Sequence, residues 1–286
     1  MTRVLGIDIG GTHTRYGVIE NDKLISVEKL PTNSIEDFSE FIKELLKTFN
    51  NIDKTVIGVP GIVYQNEIIN IPNVANLNVK NLASIIENKT KVKTIIKRDV
   101  QLLFNYDVNQ LGLDHEPGIL AFYLGTGIGN FIKVNNEILE GTHGFASELG
   151  HVPVAGNTKV CPCGKIGCAE TIISGKALVQ LYEEENLSGD FLDVFVNHQN
   201  HPKIINFIVG FSELIAFEMN IFDITKLIIG GGVINMKGFP KATLKKLIEK
   251  HLRSVSLLKD LSIYFVEDTP QKSILGAALI AKGDCK

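Results

Sequence analysis

Three cysteines and a histidine crowd one stretch of the chain: His151, then Cys161, Cys163 and Cys168. Three thiolates and one imidazole make a complete tetrahedral Zn²⁺ shell. Gly164 and Gly167 between the ligands let the loop wrap tightly. Cys161 and Cys163 are too close for a comfortable disulfide. A closed four-ligand shell keeps no position for water, so the metal is expected to be structural; the alternative is unconnected free cysteines in a loop. Cys285, at the tail, is not expected to be a ligand. Glu148 precedes His151 by three residues and Glu170 follows Cys168 by two. A zinc-tethered loop would hold both carboxylates at fixed positions, suited to accepting hydrogen bonds from sugar hydroxyls. Either one alone is equally at home on a solvated surface.

A second kind of chemistry lies in three glycine turns. Gly10-Gly11-Thr12 follows the apolar run Val4 to Ile9, Gly125-Thr126-Gly127-Ile128-Gly129 follows another, and Gly230-Gly231-Gly232 follows Lys226 to Ile229. Without a Cβ, such turns let backbone N–H groups approach phosphate oxygens and line a small anion nest. Thr12 and Thr126 add hydroxyl donors, and the third turn could admit an adenosine against bare backbone. Asp8 repels a phosphate but can hold a hydrated Mg²⁺ that attracts one. Neither of the first two turns is a P-loop, and the Gly125 segment, with a further strand expected after it, does not fit the dinucleotide fingerprint. Each turn alone could be only a tight hairpin; three together favour a nucleotide site. Asp99 stands between a strand-like run, Val92 to Lys97, and a helical one, Val100 to Leu111. At the carboxyl end of a strand, where open α/β sheets bind ligands, it could take a hydroxyl proton during attack on phosphorus. An N-cap for the following helix is the other use of an Asp there.

These groups need elements to hold them. Val4–Ile9, Arg15–Ile19 and Leu24–Leu30 read as three strands, the last two joined at Asn21-Asp22. Ser34 is expected to cap a helix, with Asp37 at its third position and Ile35, Phe38, Phe41, Ile42, Leu45, Leu46 and Phe49 at helical spacing. Thr55–Val59 is a further strand, Asn81–Asn88 a helix and Ser273–Ala281 the final one. The alternation predicts an α/β protein. Laid over Ile119–Leu139 without a gap, Leu5–Ile25 matches Thr12 to Thr126 and Asn21 to Asn135. An internal repeat of this length predicts two similar lobes, each offering a Gly/Thr hairpin to one cleft; a chance likeness of hairpins is the alternative.

The composition narrows the functional class. The 286 residues carry 29 Lys plus Arg against 32 Asp plus Glu, a formal charge of -3, with 44% apolar residues. That gives no basic footprint for nucleic acid or membrane, and no apolar stretch reads as approaching the ~20 residues of a membrane span. Four cysteines do not suggest a disulfide scaffold. A cytoplasmic protein is expected.

Asp8-Ile9-Gly10-Gly11-Thr12, Gly125-Thr126-Gly127-Ile128-Gly129, Glu148-Leu149-Gly150-His151, the run Cys161 to Glu170 and Gly230-Gly231-Gly232 occur in that order. Together they resemble the ROK family of sugar kinases and repressors over nearly the whole chain. The resemblance implies the actin/hexokinase-like (ribonuclease H-like) fold, α/β and duplicated into two lobes with a cleft that closes on sugar. Residues 1–116 would form the first lobe, rejoined by the helix in 273–286, and 117–272 the second. It implies ATP-dependent phosphorylation of a hexose, commonly at the 6-hydroxyl, with Mg-ATP and a structural Zn²⁺ bound by His151, Cys161, Cys163 and Cys168. Asp99 would be the catalytic base. Asp8, Gly10, Gly11, Thr12, Gly125, Thr126, Gly127, Gly129, Gly230, Gly231 and Gly232 would bind ATP; Gly61, Arg98, Asp99, Glu148, His151 and Glu170 would bind sugar. A homodimer is implied by the family alone.

One departure concerns specificity. Family members usually have Asn where this chain has Arg98, and Arg offers donors but no acceptor. Arg98-Asp99-Val100, Tyr123 to Gly127 and Gly144 to Glu148 are similar to bacterial D-allose kinases, making D-allose the first expectation ahead of glucose, fructose or N-acetylmannosamine. A plain salt bridge at the strand end is the other use of Arg98. The family's repressors carry a DNA-binding helix-turn-helix before the first phosphate strand; here that strand begins by Val4, and the kinase is preferred over a sugar-sensing regulator.

Overall fold

The structure, a computed structural model, describes residues 2–71, 74–77 and 79–283; Cys285 lies outside the described residues. Two compact units divide the chain. The first comprises Met1–His115, Glu140–Ala146 and Thr269–Lys286, the second Glu116–Leu139 and Ser147–Asp268. Glu140–Ala146 groups with the first unit although it falls in the span expected for the second. The reason is contact across the chain: Gly144, at φ +80°, lies so close to Val63 and Tyr64 that a Cβ there would be 2.8 Å from the Val63 carbonyl, and Lys97 pairs with Glu140 at 3.5 Å.

The first unit runs β1 (Arg3–Ile9), β2 (His13–Glu20), β3 (Lys23–Pro31), α1 (Phe38–Thr48), β4 (Lys54–Val59), β5 (Ile62–Tyr64), β6 (Glu67–Asn70), α2 (Leu82–Thr90), β7 (Lys93–Arg98) and α3 (Asp99–Gln110), and the helix Lys272–Lys282 completes it. Its sheet has the order β3-β2-β1-β4-β7, with β1 antiparallel to β2 and parallel to β4. Alternation along each strand covers both faces. Leu5, Ile7, Ile9, Ile57 and Ile96 share a core with Phe38, Ile42 and Ile86, whereas Val4 and Val56 share one with Leu102, Ala277 and Ala281.

The second unit runs β8 (Ile119–Leu124), β9 (Ile128–Val134), β10 (Glu137–Ile138), α4 (Gly175–Glu184), α5 (Val194–Asn197), α6 (Pro202–Phe222), β11 (Lys226–Gly230), α7 (Lys241–His251), α8 (Val255–Asp260) and β12 (Ser262–Phe265). The helix Lys272–Lys282 is then α9. The sheet order, β10-β9-β8-β11-β12, reproduces the first with the same strand directions. The faint sequence repeat is therefore a duplicated sheet. Its most legible mark is the two-residue turn after β2 and after β9: Asn21 and Asp22 have φ of 48° and 68°, Asn135 and Asn136 of 53° and 67°. Positive φ at both central positions is the type I′ turn that suits a twisted hairpin, and Asn and Asp tolerate it.

Three sequence expectations change. The cap of α1 is Asp37, whose carboxylate accepts from Ser39 N–H at 2.7 Å and Glu40 N–H at 3.1 Å; Ser34 ends a separate 3₁₀ turn. Asp99 is not an N-cap: Arg98 holds that position with no capping side chain, and Asp99 is the first helical residue. Among the described residues, α6 is long and apolar enough to cross a membrane. The scattered polar residues in its sequence hide this length, and Ile204, Phe207, Phe211, Ile215 and Met219 are buried in the second core.

One ion pair in the first unit is fully internal. Lys272 Nζ meets Asp107 Oδ2 at 2.6 Å with both side chains buried, where α9 approaches α3 so closely that a Cβ on Gly276 would strike the Leu102 carbonyl. Breaking one partner of a buried pair strands the other charge, at ~3–5 kcal/mol. Asp107→Ala is expected to lose that much stability in chemical denaturation, and Asp107→Leu with Lys272→Met to recover most of it. A single variant within ~0.5 kcal/mol of the parent would contradict this.

Candidate functional site

The carboxyl ends of β1, β4 and β7 lie side by side, and Asp8 and Asp99 stand at two of them. Register places Asp8 opposite Gly58, and Gly58 opposite Lys97. Asp99 therefore emerges two residues beyond the level of Asp8, across two strand spacings of ~4.8 Å each. Gly58 makes that emergence possible, since a Cβ there would lie 3.2 Å from the Asp99 Cα and 2.7 Å from a Leu102 methyl. The Asp99 carboxylate accepts from Val100 N–H at 2.7 Å, a bond that orients it at the positive start of α3.

The hairpin between β1 and β2 is held from beneath. Gly10 N–H donates to the His13 carbonyl at 2.9 Å, and Thr32 N–H to the Thr12 carbonyl at 2.9 Å. Thr32 Oγ1 donates to the Gly10 carbonyl at 2.7 Å and lies 3.0 Å from Thr14 Oγ1. The Gly10, Thr12 and His13 carbonyls are thereby tied inward, and so is the Gly10 amide, an arrangement that leaves the amides of Gly11 and Thr12 for an anion. Asp8 is partly balanced by Arg15 at 3.7 Å. Sequence reasoning missed Arg15 and Thr32. The first was within reach, because an antiparallel hairpin closing on Gly10–Thr12 sets Arg15 opposite Asp8.

The hairpin between β8 and β9 is built alike with other parts. Gly125 N–H donates to the Gly127 carbonyl at 3.0 Å. The first two amides of α4, Gly175 and Lys176, donate to the Gly125 and Thr126 carbonyls at 2.7 and 3.1 Å, and Ser174 caps the helix by accepting from Ala177 N–H at 3.0 Å. The third glycine run lies against the same hairpin. Gly230 ends β11 instead of standing in the turn. Gly231, at φ +97°, lies so close to Leu124 that a Cβ would be 2.6 Å from its carbonyl, while Gly232 faces open space.

The four zinc-ligand candidates come together as expected. The ligand atoms of His151, Cys161, Cys163 and Cys168 all lie within 4.8 Å of one another. Cys161 Sγ is 3.6 Å from His151 Nδ1, and Cys163 Sγ is 3.6 Å from Cys168 Sγ. Two thiolates at ~2.3 Å from a tetrahedral zinc stand ~3.7 Å apart, so the donor set and its spacing fit the ion. Burial, then the neighbouring thiols, push Cys168 up to about 12. Burial also opposes ionisation of Cys163, but the Lys165 amide and the other two thiols outweigh it and lower its pKa. Ionising Cys168 beside its neighbouring sulfurs therefore calls for a cation. The loop is shaped by Gly164 and Gly167, at φ +89° and +87°, and Gly167 N–H donates to the Lys159 carbonyl at 2.9 Å.

The remaining sugar candidates are distributed around these features. His151 turns Nδ1 to the thiols and Nε2 toward Glu148, 3.7 Å from its Oε2; a ring nitrogen on a metal with a carboxylate at the other is a common metal-site pattern. Glu170 accepts from Ile128 N–H at 2.9 Å, a contact that no local signal in the sequence reveals. Arg98 donates from Nη1 to the Ala146 carbonyl at 3.0 Å, so its guanidinium holds the segment Gly144–Ala146. Gly61 is locked by its neighbours, since a Cβ would strike the Asn70 carbonyl.

The model of the ROK family matches residues 4–284. An N-acetylmannosamine kinase from Vibrio cholerae serotype O1 is 28% identical over 252 residues, covering 83% of this chain and 86% of that protein. Among solved structures, a ROK family glucokinase from Streptomyces griseus, in complex with glucose and AMPPNP, superposes with a TM-score of 0.78 at 20% identity, covering 98% of this chain and 99% of the other. A ROK hexokinase from Thermus thermophilus gives 0.74 at 22% identity, covering 99% and 100%. The α/β fold of duplicated sheets is thus the hexokinase-like one.

Proposed function

The chain belongs to the ROK family, and from that premise we propose that it transfers the γ-phosphoryl group of Mg-ATP to the 6-hydroxyl of a hexose, D-allose first. As a sugar kinase of this family it is an ATP-dependent carbohydrate phosphotransferase. The observation that carries the reading is the pair of hairpins at matching places in two like sheets, each with its carbonyls tied inward. In phosphoryl transfer of this kind the transition state is largely dissociative, so positioning and charge neutralisation outweigh activation of the nucleophile.

Each residue has a role in that scheme. Gly10, Gly11, Thr12, Gly125, Thr126, Gly127 and Gly129 hold phosphates, and Gly230–Gly232 border the adenosine. Asp8 would hold the water shell of Mg²⁺, which neutralises phosphate charge when bound. Glu148, His151 and Glu170 bind sugar hydroxyls, with Gly61 and Arg98 shaping the fit, and Asp99 orients the 6-hydroxyl and takes its proton. Zn²⁺, held by His151, Cys161, Cys163 and Cys168, would order the sugar loop and take no part in the chemistry.

D-Allose is favoured by the likeness of Arg98-Asp99-Val100, Tyr123–Gly127 and Gly144–Glu148 to bacterial D-allose kinases. N-Acetylmannosamine is the second reading, favoured by the kinase of that name at 28% identity. An ADP-coupled screen of aldohexoses, ketohexoses and N-acetylhexosamines, ranked by kcat/KM, is expected to put D-allose at the head. N-Acetylmannosamine leading by tenfold would move the assignment to the second reading. Binding of a hexose without ADP release would make the protein a sensor.

A further inference from the structure

Glu170 stands where the zinc loop ends and α4 is about to begin. Its short 3₁₀ turn, Ala169–Thr171, is pinned on every side. Ala169 N–H donates to the Val152 carbonyl at 2.9 Å, Ile173 N–H to the Ala169 carbonyl at 2.8 Å, and Thr171 Oγ1 to the Cys168 carbonyl at 2.7 Å. From this support the carboxylate reaches back across forty-two positions to Ile128 N–H, at 2.9 Å. It fits between two glycines: a Cβ on Gly127 would strike Oε2, and one on Gly150 would lie 3.2 Å from it. Five residues later the same stretch of chain holds the Gly125 and Thr126 carbonyls through Gly175 and Lys176 N–H. The hairpin is thus clasped at one end by helix amides and at the other by a single carboxylate.

We propose that Glu170 is a positioning residue for the nucleotide: by holding Ile128 N–H it fixes the Gly125–Ile128 hairpin before any sugar arrives. This rests on the kinase reading above and adds to the sugar contact assigned to Glu170 there. The arrangement has an electrostatic signature. A carboxylate beside a phosphate loop repels the ligand it helps to seat, so its acceptor oxygen favours nucleotide binding while its charge opposes it. The two effects separate in two variants. Glu170→Gln keeps an oxygen for Ile128 N–H and drops the charge; Glu170→Ala drops both.

The test is the affinity of the full-length, zinc-loaded protein for Mg-AMP-PNP without sugar, by calorimetry, with zinc content and melting temperature read on every variant. A hydrogen bond to a charged acceptor is worth a ~10–100-fold change in an equilibrium. The expected order is Glu170→Gln equal to or tighter than the parent, and Glu170→Ala ~10-fold or more weaker, with zinc content unchanged in both. Equal affinity in all three proteins overturns the assignment and leaves the kinase reading standing. Equal weakening in Gln and Ala overturns it as well, because the acceptor oxygen would then be irrelevant. A parent protein that binds no Mg-AMP-PNP overturns both the assignment and the kinase reading.

Discussion

Asp99→Asn is expected to lower kcat by ~10²–10⁴-fold, the usual contribution of a general base, with melting temperature, zinc content and Mg-AMP-PNP affinity unchanged. The substitution is nearly isosteric, and its amide oxygen can still accept from Val100 N–H, the 2.7 Å bond that fixes the side chain at the start of α3. What disappears is the ability to take the hydroxyl proton. KM for the hexose should move little, because an amide still hydrogen-bonds a hydroxyl; kcat and kcat/KM should fall together, marking an interaction made in the transition state. Steady-state kinetics alongside thermal melting decide it. A variant within tenfold of the parent kcat would remove Asp99 from the chemistry.

Cys163→Ser carries the second large effect, on the sugar side. In the proposed scheme the metal ligands would reach the substrate through His151: Nδ1 lies 3.6 Å from Cys161 Sγ and Nε2 lies 3.7 Å from the Glu148 carboxylate. With one thiol gone, the remaining donors no longer close a tetrahedral shell, the ring is released, and Glu148 loses the partner that orients it. Loss of an outer-shell partner alone typically costs ~10–100-fold in metal affinity or activity, so the hexose KM should rise by at least that much. The ATP KM should rise less, since α4 still holds the Gly125 and Thr126 carbonyls. Some rise is expected, because the Glu170 turn follows the loop directly. Parallel KM measurements for both substrates, with zinc quantified, read the split. Equal losses would mean that the metal supports the unit as a whole.

The features legible in the sequence were those with short-range signatures. Glycine turns after apolar runs, the cysteine spacing and the Asn-rich type I′ turns are written within a few residues of each other, and the structure has hairpins, a four-donor cluster and the turns at those positions. The duplication was visible because strand, turn and strand recur in the same order, even though few residues match. Ambiguity arose where two capping residues compete: Asp37, whose carboxylate accepts from the Ser39 and Glu40 amides, is the cap, and Ser34 closes a separate 3₁₀ turn. At Asp99 the structure removes one of two uses, the cap, because Arg98 takes that position and Asp99 is the first helical residue. What stayed hidden depends on contacts far apart in the chain. The return of Glu140–Ala146 to the first unit rests on Gly144 against Val63 and Tyr64, and the hold of Glu170 on the Ile128 amide joins residues 42 positions apart. Neither leaves a periodicity or a motif. The burial of α6 belongs with these, for its sequence alone suits a membrane as well as a core.

Phosphorus NMR of the protein with Mg-ATP and D-allose follows donor and product in one tube. The account predicts a phosphomonoester resonance, assigned to the 6-position by coupling to the C6 protons, that grows one for one with ADP and is absent without hexose. ADP accompanied only by inorganic phosphate, or no loss of ATP with D-allose, N-acetylmannosamine or glucose, would contradict it.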